Sequence, residues 1–217
     1  MNNSTPKNTK PQELEKLCKL YRSATFLKSA AKVPQLPDDT GAEVAIVGRS
    51  NAGKSTFLNF LTNQRSLAKT SKTPGRTQLM NVFTLQNPEQ RLVDLPGYGF
   101  AKVAKSMQFD WEKHLGEYFH DRQSLQGVIL LMDIRHPLQP LDNMMISTLV
   151  LEQLPVHILL TKADKLSKNA AVQSLRMVQK ELSEVGLSHC VQSFSVQQPH
   201  TLLEVVAVLD EWLGVKN

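Results

Sequence analysis

Residues 48–55 are Gly48-Arg49-Ser50-Asn51-Ala52-Gly53-Lys54-Ser55, and they lie between the apolar run 44–47 and a pattern that predicts a helix. Glycines at such a turn let backbone N–H groups converge on an anion, and the helix N-terminus adds the positive end of its dipole. Lys54 can reach the β and γ phosphates, and the Ser55 hydroxyl can ligate Mg²⁺. The segment therefore predicts a nucleoside triphosphate site; the alternative is an ordinary glycine turn between a strand and a helix.

Two aspartates follow later predicted strands. Asp94 begins a segment that ends at Gly97, where the carboxylate can hold the shell of a Mg²⁺ ion and the glycine N–H can face a γ-phosphate. Asp164 follows the apolar run 155–160 and can accept hydrogen bonds from guanine N1–H and N2–H, donors that adenine lacks. Either aspartate alone fits an ordinary turn. Together with residues 48–55, at the carboxyl ends of successive strands, they predict a guanine nucleotide site in an open α/β sheet.

Strand and helix patterns alternate along the rest of the chain, as a doubly wound sheet requires. Residues 79–85 and 90–94 predict an antiparallel pair of strands, and 127–133 and 155–161 predict two further strands. Predicted helices are residues 54–62, 109–122 and 140–154, a helix capped by Ser167, and a helix begun by a capping box at Thr201 and ended by Gly214. The apolar face of the Ser167-capped helix is Val172, Leu175, Val178, Leu182 and Val185.

Composition is typical of one globular domain. The chain has 217 residues, 41% of them hydrophobic, with a mean hydropathy of −0.25. Its two cysteines, Cys18 and Cys190, have no metal-type spacing, so we expect partly buried thiols rather than a disulfide or zinc site. No apolar stretch predicts a signal peptide or a membrane span, so the expected location is the cytoplasm, without membrane insertion.

Charge is concentrated at the N-terminus. Residues 1–32 contain seven basic and two acidic residues, a net +5, which equals the net charge of the whole chain. We expect residues 1–40 to form a basic, partly disordered extension and residues 41–217 to form the nucleotide-binding domain. The extension is either an RNA contact that neutralises phosphates or a solvated tail that aids solubility.

Five segments resemble the EngB family of bacterial P-loop GTPases, within the TrmE-Era-EngA-EngB-Septin-like class. They are residues 48–55, 73–78, 94–99, 133–135 and 161–164. The first residue of the last segment is threonine, as in the family, where other P-loop GTPases commonly have asparagine. The resemblance implies an α/β fold, the Ras-like P-loop GTPase domain, with a mixed, mostly parallel six-stranded sheet and helices on both faces.

The resemblance also implies a set of site residues. Expected nucleotide contacts are Gly48, Arg49, Ser50, Asn51, Ala52, Gly53, Lys54, Ser55, Thr56, Gly75, Arg76, Thr77, Gln78, Leu79, Asp94, Leu95, Pro96, Gly97, Thr161, Lys162, Ala163, Asp164, Phe194, Ser195 and Val196. Expected Mg²⁺ ligands are Ser55, Asp94 and, in the GTP state, Thr77. The expected catalytic residues are Lys54, Thr77 and Gly97.

Two positions bear on the rate of hydrolysis. Ras-like enzymes use a glutamine after the Asp-x-x-Gly segment to orient the attacking water, and this chain has Tyr98 there. Slow unaided hydrolysis is therefore expected, with residues 66–78 and 96–108 as the segments that respond to the γ-phosphate. Asn51 either holds K⁺ against the phosphates, as related proteins do, or hydrogen-bonds within its own turn.

The biological interpretation rests on the resemblance. It implies a monomeric GTP/GDP switch that acts on the large (50S) ribosomal subunit or its precursor, with the basic extension near rRNA, and that is needed for normal cell division and septation. The alternative is a nucleotide-gated protein-interaction module that acts directly in septation, with hydrolysis secondary. A nucleotide kinase is disfavoured, because the sequence has no Arg-rich lid insert and Asp164 specifies guanine.

Overall fold

The strands form a single seven-stranded sheet. The computed structural model describes residues 18–68, 79–99, 105–187 and 189–215, with the backbone alone for residues 105–112. The strands are β1 Thr25–Ala30, β2 Ala42–Gly48, β3 Met80–Thr84, β4 Gln90–Asp94, β5 Leu125–Asp133, β6 Val156–Thr161 and β7 Val191–Ser193. Their order is β1-β3-β4-β2-β5-β6-β7. Four neighbouring pairs are parallel: β4 with β2, β2 with β5, β5 with β6, and β6 with β7. Strand β3 pairs antiparallel with β1 and β4. The predicted antiparallel pair is confirmed.

The described helices cover both faces of the sheet. They are α1 Lys54–Leu61, α2 Lys105–Asp121, α3 Pro140–Leu151, α4 Lys168–Glu181 and α5 Leu202–Trp212. Val44 and Ile46 of β2 belong to one buried cluster with residues of α1 and α5. Ala45 and Val47 belong to a second buried cluster with residues of α2, α3 and α4. Because successive side chains of a strand point to opposite faces, the uninterrupted apolar run in β2 lies between two helical layers.

The predicted count of six strands is wrong, because β1 is a seventh. It lies within residues 1–40, the segment assigned to the basic extension, and pairs with β3 at the edge of the sheet. Its register shifts between Phe26 and Lys28, and the Phe26 ring packs edge-on against Phe83 at a centroid distance of 6.0 Å. Part of the segment predicted to be a partly disordered extension is thus built into the sheet, while its first residues, 1–17, lie outside the described part of the chain.

A buried hydrogen bond also joins the N-terminal segment to the last helix. The Tyr21 hydroxyl donates to Asp210 Oδ1 at 2.6 Å, and Tyr21 is fully buried. Cys18, in the turn before Tyr21, is buried as well, and Cys190 is half-buried. The side chains that precede β1 are therefore packed on the same face of the sheet as α5.

The predicted helix ends are confirmed in part. Ser167 caps α4, since its Oγ accepts from the Ala170 N–H at 3.3 Å. The capping box predicted at Thr201 is wrong, because the Thr201 hydroxyl bonds to the loop before the helix instead of to the helix N–H groups. On the predicted apolar face that begins with α4, Val172 and Val185 are exposed while Val178 and Leu182 are buried. The buried face of this segment therefore contains fewer residues than the sequence pattern predicts.

Candidate nucleotide-binding site

The predicted motifs meet at one edge of the sheet. Strands β2, β4, β5, β6 and β7 are parallel, so their carboxyl ends lie along the same edge. The segments 49–53, 95–99, 134–135, 162–164 and 194–197 follow these ends directly. In open α/β sheets this edge, beside the point where the strand order reverses, is the usual place for a ligand.

The P-loop, residues 48–55, needs its two glycines for steric reasons. A Cβ on Gly48 would lie 2.5 Å from the Leu131 carbonyl oxygen on β5, so the neighbouring strand excludes any side chain there. Gly53 has a φ of +101°, a conformation that L-residues with a side chain rarely adopt. Helix α1 begins at the next residue, so the amide groups of its first turn open towards the loop. The loop is therefore shaped as an anion cradle.

Lys54 and Asp94 lie side by side under this loop. The Lys54 ammonium donates to the Gly48 carbonyl oxygen at 3.1 Å. Burial lowers the pKa of Lys54, and the nearby Asp94 carboxylate opposes that shift. Burial raises the pKa of Asp94 to about 6, with Lys54 and a hydrogen bond from Asn81 acting in the opposite direction. Each of these half-buried charges therefore offsets part of the desolvation cost of the other, and an added phosphate and cation would change this balance.

Asp94 also has an oxygen that fits a metal ligand. Its Oδ1 is buried and has no hydrogen-bond partner within the described part of the chain. A buried carboxylate oxygen without a partner costs free energy, and a divalent cation with its water shell would remove that cost. The Ser55 hydroxyl, in the first turn of α1, is half-buried. The donor set is oxygen-only, which suits Mg²⁺.

Gly97 lies directly against the P-loop. A Cβ at this position would be 2.8 Å from Lys54 Nζ, 3.3 Å from Ser50 N and 3.4 Å from the Gly48 carbonyl oxygen. The next residue continues the contact, because Ser50 N–H donates to the Tyr98 carbonyl oxygen at 2.8 Å. A side chain at position 97 would therefore displace the Lys54 ammonium and crowd the P-loop backbone.

The predicted guanine residue, Asp164, lies in a polar setting. Its Oδ1 accepts from the Ser195 hydroxyl at 2.7 Å, and its Oδ2 is 3.2 Å from the Lys165 ammonium. The hydrogen bond from Ser195 is the main cause that lowers the pKa of Asp164, with Lys165 adding to it. The side chain is therefore ionised at neutral pH and oriented by Ser195, which are the properties that the predicted guanine contact requires.

Lys162 and Thr161 join the predicted base-binding segment, residues 161–164, to the P-loop. The Lys162 ammonium donates to the Asn51 carbonyl oxygen at 2.7 Å and to Asp133 Oδ2 at 2.9 Å. The Thr161 hydroxyl lies 2.7 Å from the Ala52 carbonyl oxygen and 3.1 Å from that of Met132. Threonine thus supplies a donor to the P-loop at the position where asparagine is commoner.

Asp133 anchors this connection. Its carboxylate accepts two hydrogen bonds from the Arg135 guanidinium, at 2.9 and 2.6 Å, in addition to that from Lys162. Burial alone would raise the pKa of Asp133, but the bonds from Arg135 and Lys162 outweigh it and lower the pKa. The segment 133–135, one of the five behind the family resemblance, therefore acts through Lys162 on the P-loop.

The last predicted segment, 194–196, is organised around Thr201. Ser195 N–H donates to Thr201 Oγ1 at 3.3 Å, and that hydroxyl donates to the Gln198 carbonyl oxygen at 2.7 Å. Phe194 is buried against Phe57, with ring centroids 5.4 Å apart, so its side chain belongs to the core. The Phe194 carbonyl oxygen accepts from the Ala163 N–H at 3.2 Å and so anchors the predicted base-binding segment.

Four of the expected contacts lie outside the described residues: Gly75, Arg76, Thr77 and Gln78. Leu79, immediately before β3, is half-buried. Thr56 is exposed on α1, while Leu95 is buried and Pro96 is half-buried between Asp94 and Gly97. The structure therefore brings together the P-loop, residues 94–97 and residues 161–164, and gives no position for the predicted Thr77 ligand.

Sequence reasoning missed one buried pair beside this site. The Tyr98 hydroxyl donates to Asp142 Oδ1 at 2.8 Å, although the two residues are 44 positions apart. Asp142 Oδ2 accepts from the Gln139 N–H at 3.0 Å and so caps α3. The pattern of proline at the start of α3 followed by Asp142 was the only local signal, and it indicated a cap rather than a tyrosine partner.

The comparisons with known proteins agree with this geometry. Residues 43–162 match the family model described as 50S ribosome-binding GTPase. A protein of Pasteurella multocida described as "Probable GTP-binding protein EngB" is 52% identical over 194 residues, which cover 89% of this chain and 94% of that protein. The chain belongs to the EngB family of P-loop GTPases.

Further members and a solved structure extend the comparison. The EngB protein of Coxiella burnetii is 51% identical over 192 residues, covering 88% of this chain and 93% of that protein. A crystal structure of a probable GTP-binding protein EngB has a TM-score of 0.62 at 18% identity and covers 81% of this chain and 100% of its own. At that identity the structural likeness establishes the fold, the Ras-like α/β GTPase domain.

No described helix is long and apolar enough to cross a membrane.

Proposed function

We propose that this chain binds GTP and GDP with Mg²⁺, hydrolyses GTP slowly, and acts as a monomeric cytoplasmic switch in the assembly of the large ribosomal subunit. One observation carries the proposal: three groups meet at a common edge of the sheet. They are the P-loop with Lys54, the Asp94 carboxylate, and Asp164, the predicted guanine contact. Family membership supports the same conclusion, since the family is described as ribosome-binding GTPases.

The nucleotide is held by groups with separate tasks. Amides of the P-loop and the Lys54 ammonium bind the phosphates, Gly97 N–H faces the γ-phosphate, and Asp164 selects guanine. Ser55 and Asp94 hold Mg²⁺, with Thr77 as the third ligand in the GTP state. The ion, when bound, neutralises charge between the β and γ phosphates. In this arrangement the triphosphate lies next to residues 94–98, and the base lies next to Asp164.

Slow hydrolysis follows from the position of Tyr98. A residue that orients water must present a polar group to the γ-phosphate. Tyr98 is only 4% exposed and donates its hydroxyl to Asp142 of α3, so this polar group is already engaged within the protein. Unaided turnover is therefore expected on the order of 10⁻⁴ to 10⁻² s⁻¹, as for GTPases without an activating partner. Such a rate suits a switch whose state is changed by a partner.

Potassium is proposed as an additional cofactor at Asn51. The Asn51 side chain is exposed, and it forms no hydrogen bond with any described residue, so a bond within its own turn does not account for it. Its backbone has a φ of +64°, and its carbonyl oxygen is fixed by Lys162. The amide oxygen is thus available to a cation beside the phosphates.

We expect faster GTP hydrolysis in KCl than in NaCl or LiCl at equal ionic strength, by several-fold. The cation would stabilise charge that develops mainly in the transition state, so kcat should rise more than GTP affinity. Asn51→Ser should remove the difference and leave GDP affinity nearly unchanged. Single-turnover phosphate release measures this effect. Equal rates in the three salts, with and without ribosomal subunits, would refute potassium activation.

Co-sedimentation tests the ribosomal role. The full chain is centrifuged with 30S subunits, 50S subunits or 50S precursors, in GDP or in a non-hydrolysable GTP analogue. We expect the GTP-analogue form to sediment with 50S particles or precursors, and binding to weaken as salt rises because phosphate contacts release counterions. Replacing Lys7, Lys10 and Lys16 by glutamine should reduce the salt dependence. No sedimentation in either nucleotide would overturn the ribosomal role and favour a direct action in septation.

A further inference from the structure

Three side chains next to the P-loop form a largely buried polar cluster, and the proposed function assigns their polar groups no bond to the nucleotide. Arg49 comes from the P-loop, Tyr98 follows Gly97, and Asp142 lies in the first turn of α3. Tyr98 is 4% and Asp142 is 1% exposed. The Arg49 guanidinium interacts electrostatically with both of the others, and its Nε is buried without a hydrogen-bond partner within the described chain.

The cluster holds residues 97–99 between the P-loop and α3. A Cβ on Gly99 would lie 3.1 Å from Leu141 Cδ1 and 3.6 Å from Arg49 Nε, so the chain passes closely between the two elements. On one side the Tyr98 carbonyl oxygen accepts from the Ser50 N–H at 2.8 Å. On the other side the Tyr98 hydroxyl donates to Asp142 at 2.8 Å. One residue thus connects the P-loop to α3 through its backbone and its side chain.

This arrangement occupies groups that face a triphosphate. The Ser50 amide belongs to the P-loop, yet it is bonded to the Tyr98 carbonyl oxygen. A Cβ on Gly97 would lie only 2.8 Å from the Lys54 ammonium, so there is little space between these two residues. In the proposed binding mode, a nucleoside diphosphate has no γ-phosphate to face Gly97, so it leaves this arrangement in place. A third phosphate must enter between the P-loop and Gly97, so it competes with this arrangement. A bond that stabilises the arrangement therefore favours the diphosphate.

We propose that the hydrogen bond between Tyr98 and Asp142 is a latch that holds residues 97–99 against the P-loop and sets the preference of the protein for GDP over GTP. Tyr98 is then a positioning residue, and the sequence position that holds a water-orienting glutamine in Ras-like enzymes serves to choose the nucleotide state. The inference rests on the proposed guanine nucleotide binding.

Two nucleotide affinities of the full-length chain test the latch. Tyr98→Phe keeps the ring and removes the hydroxyl. We expect it to raise the affinity for a non-hydrolysable GTP analogue by about tenfold, the effect of one hydrogen bond to a charged acceptor, and to leave GDP affinity unchanged. Competition with a fluorescent GDP derivative in Mg²⁺ measures both constants. A purely structural role would weaken both nucleotides together.

The chain offers a matched control. Tyr21 donates its hydroxyl to Asp210 Oδ1, so Tyr21→Phe removes the same kind of buried bond away from the P-loop. Its ratio of GTP-analogue to GDP affinity should equal that of the unmodified chain. If Tyr98→Phe does not fold, Asp142→Asn weakens the same bond while keeping an oxygen for the Gln139 N–H, and the ratio should shift in the same direction.

The outcomes separate the latch from the proposed function. An unchanged ratio in Tyr98→Phe, or in Asp142→Asn where that variant replaces it, would overturn the latch and leave guanine nucleotide binding intact. An equal loss of both affinities would assign Tyr98 to packing alone and also overturn the latch. Failure of the unmodified chain to bind any guanine nucleotide would overturn the proposed function together with the latch.

Discussion

Asp164→Asn is expected to lose GTP affinity and gain affinity for xanthosine triphosphate. The Asp164 carboxylate accepts from two ring donors of guanine, whereas an amide places a donor against one of them. Sites built on such donors reject a mismatched base by roughly 10⁴ to 10⁵ in specificity. Xanthine has a carbonyl where guanine has its amino group, so the new amide donor has a partner. Competition titrations with the two triphosphates measure the exchange.

A matched aspartate provides the control for this change. Asp39 accepts from the backbone N–H groups of Gln123 and Ser124 beside the start of β5, at the opposite edge of the sheet. Asp39→Asn should keep the preference for guanine. If Asp164→Asn retains GTP and does not bind xanthosine triphosphate, Asp164 does not contact the base.

Lys54→Ala is expected to weaken triphosphate binding by at least about 10²-fold, since it removes a charged donor from a buried anion site. The change also leaves the Asp94 carboxylate buried without its neighbouring cation, which adds to the cost of binding a further anion. Isothermal titration with a non-hydrolysable GTP analogue measures the loss.

The control is a lysine of the same charge away from the site. Lys180 is exposed in the last turn of α4, and Lys180→Ala should bind the analogue as the unmodified chain does. Urea unfolding of both variants shows whether each is folded. A folded Lys54→Ala variant with unchanged affinity would contradict the assignment of Lys54 to the phosphates.

Features that depend on a few neighbouring residues could be predicted from the sequence. The start of α1 at Lys54 and the end of β4 at Asp94 both follow from short patterns, and the structure confirms them. The apolar runs 44–47 and 127–133 predicted buried strands because both faces of those strands are covered. Such features need no knowledge of distant partners.

Features that depend on contacts between residues far apart in the chain could not be predicted from the sequence. Four of the six residues of β1 are exposed, so the strand has no alternating pattern, and its place depends on pairing with β3. Thr201 matched a capping box, but the loop that begins at Ser195 takes its hydroxyl instead. The bond between Tyr98 and Asp142 joins the loop after β4 to the first turn of α3, and only the folded sheet brings these distant segments together.

Direct titration of the unmodified chain with GTP, GDP and ATP in Mg²⁺ is the most immediate test of the central claim. The account predicts that both guanine nucleotides bind and that ATP binds roughly 10⁴-fold or more weakly, because adenine has no donors for Asp164. Equal affinity for ATP and GTP, or no binding of any of the three, would contradict it.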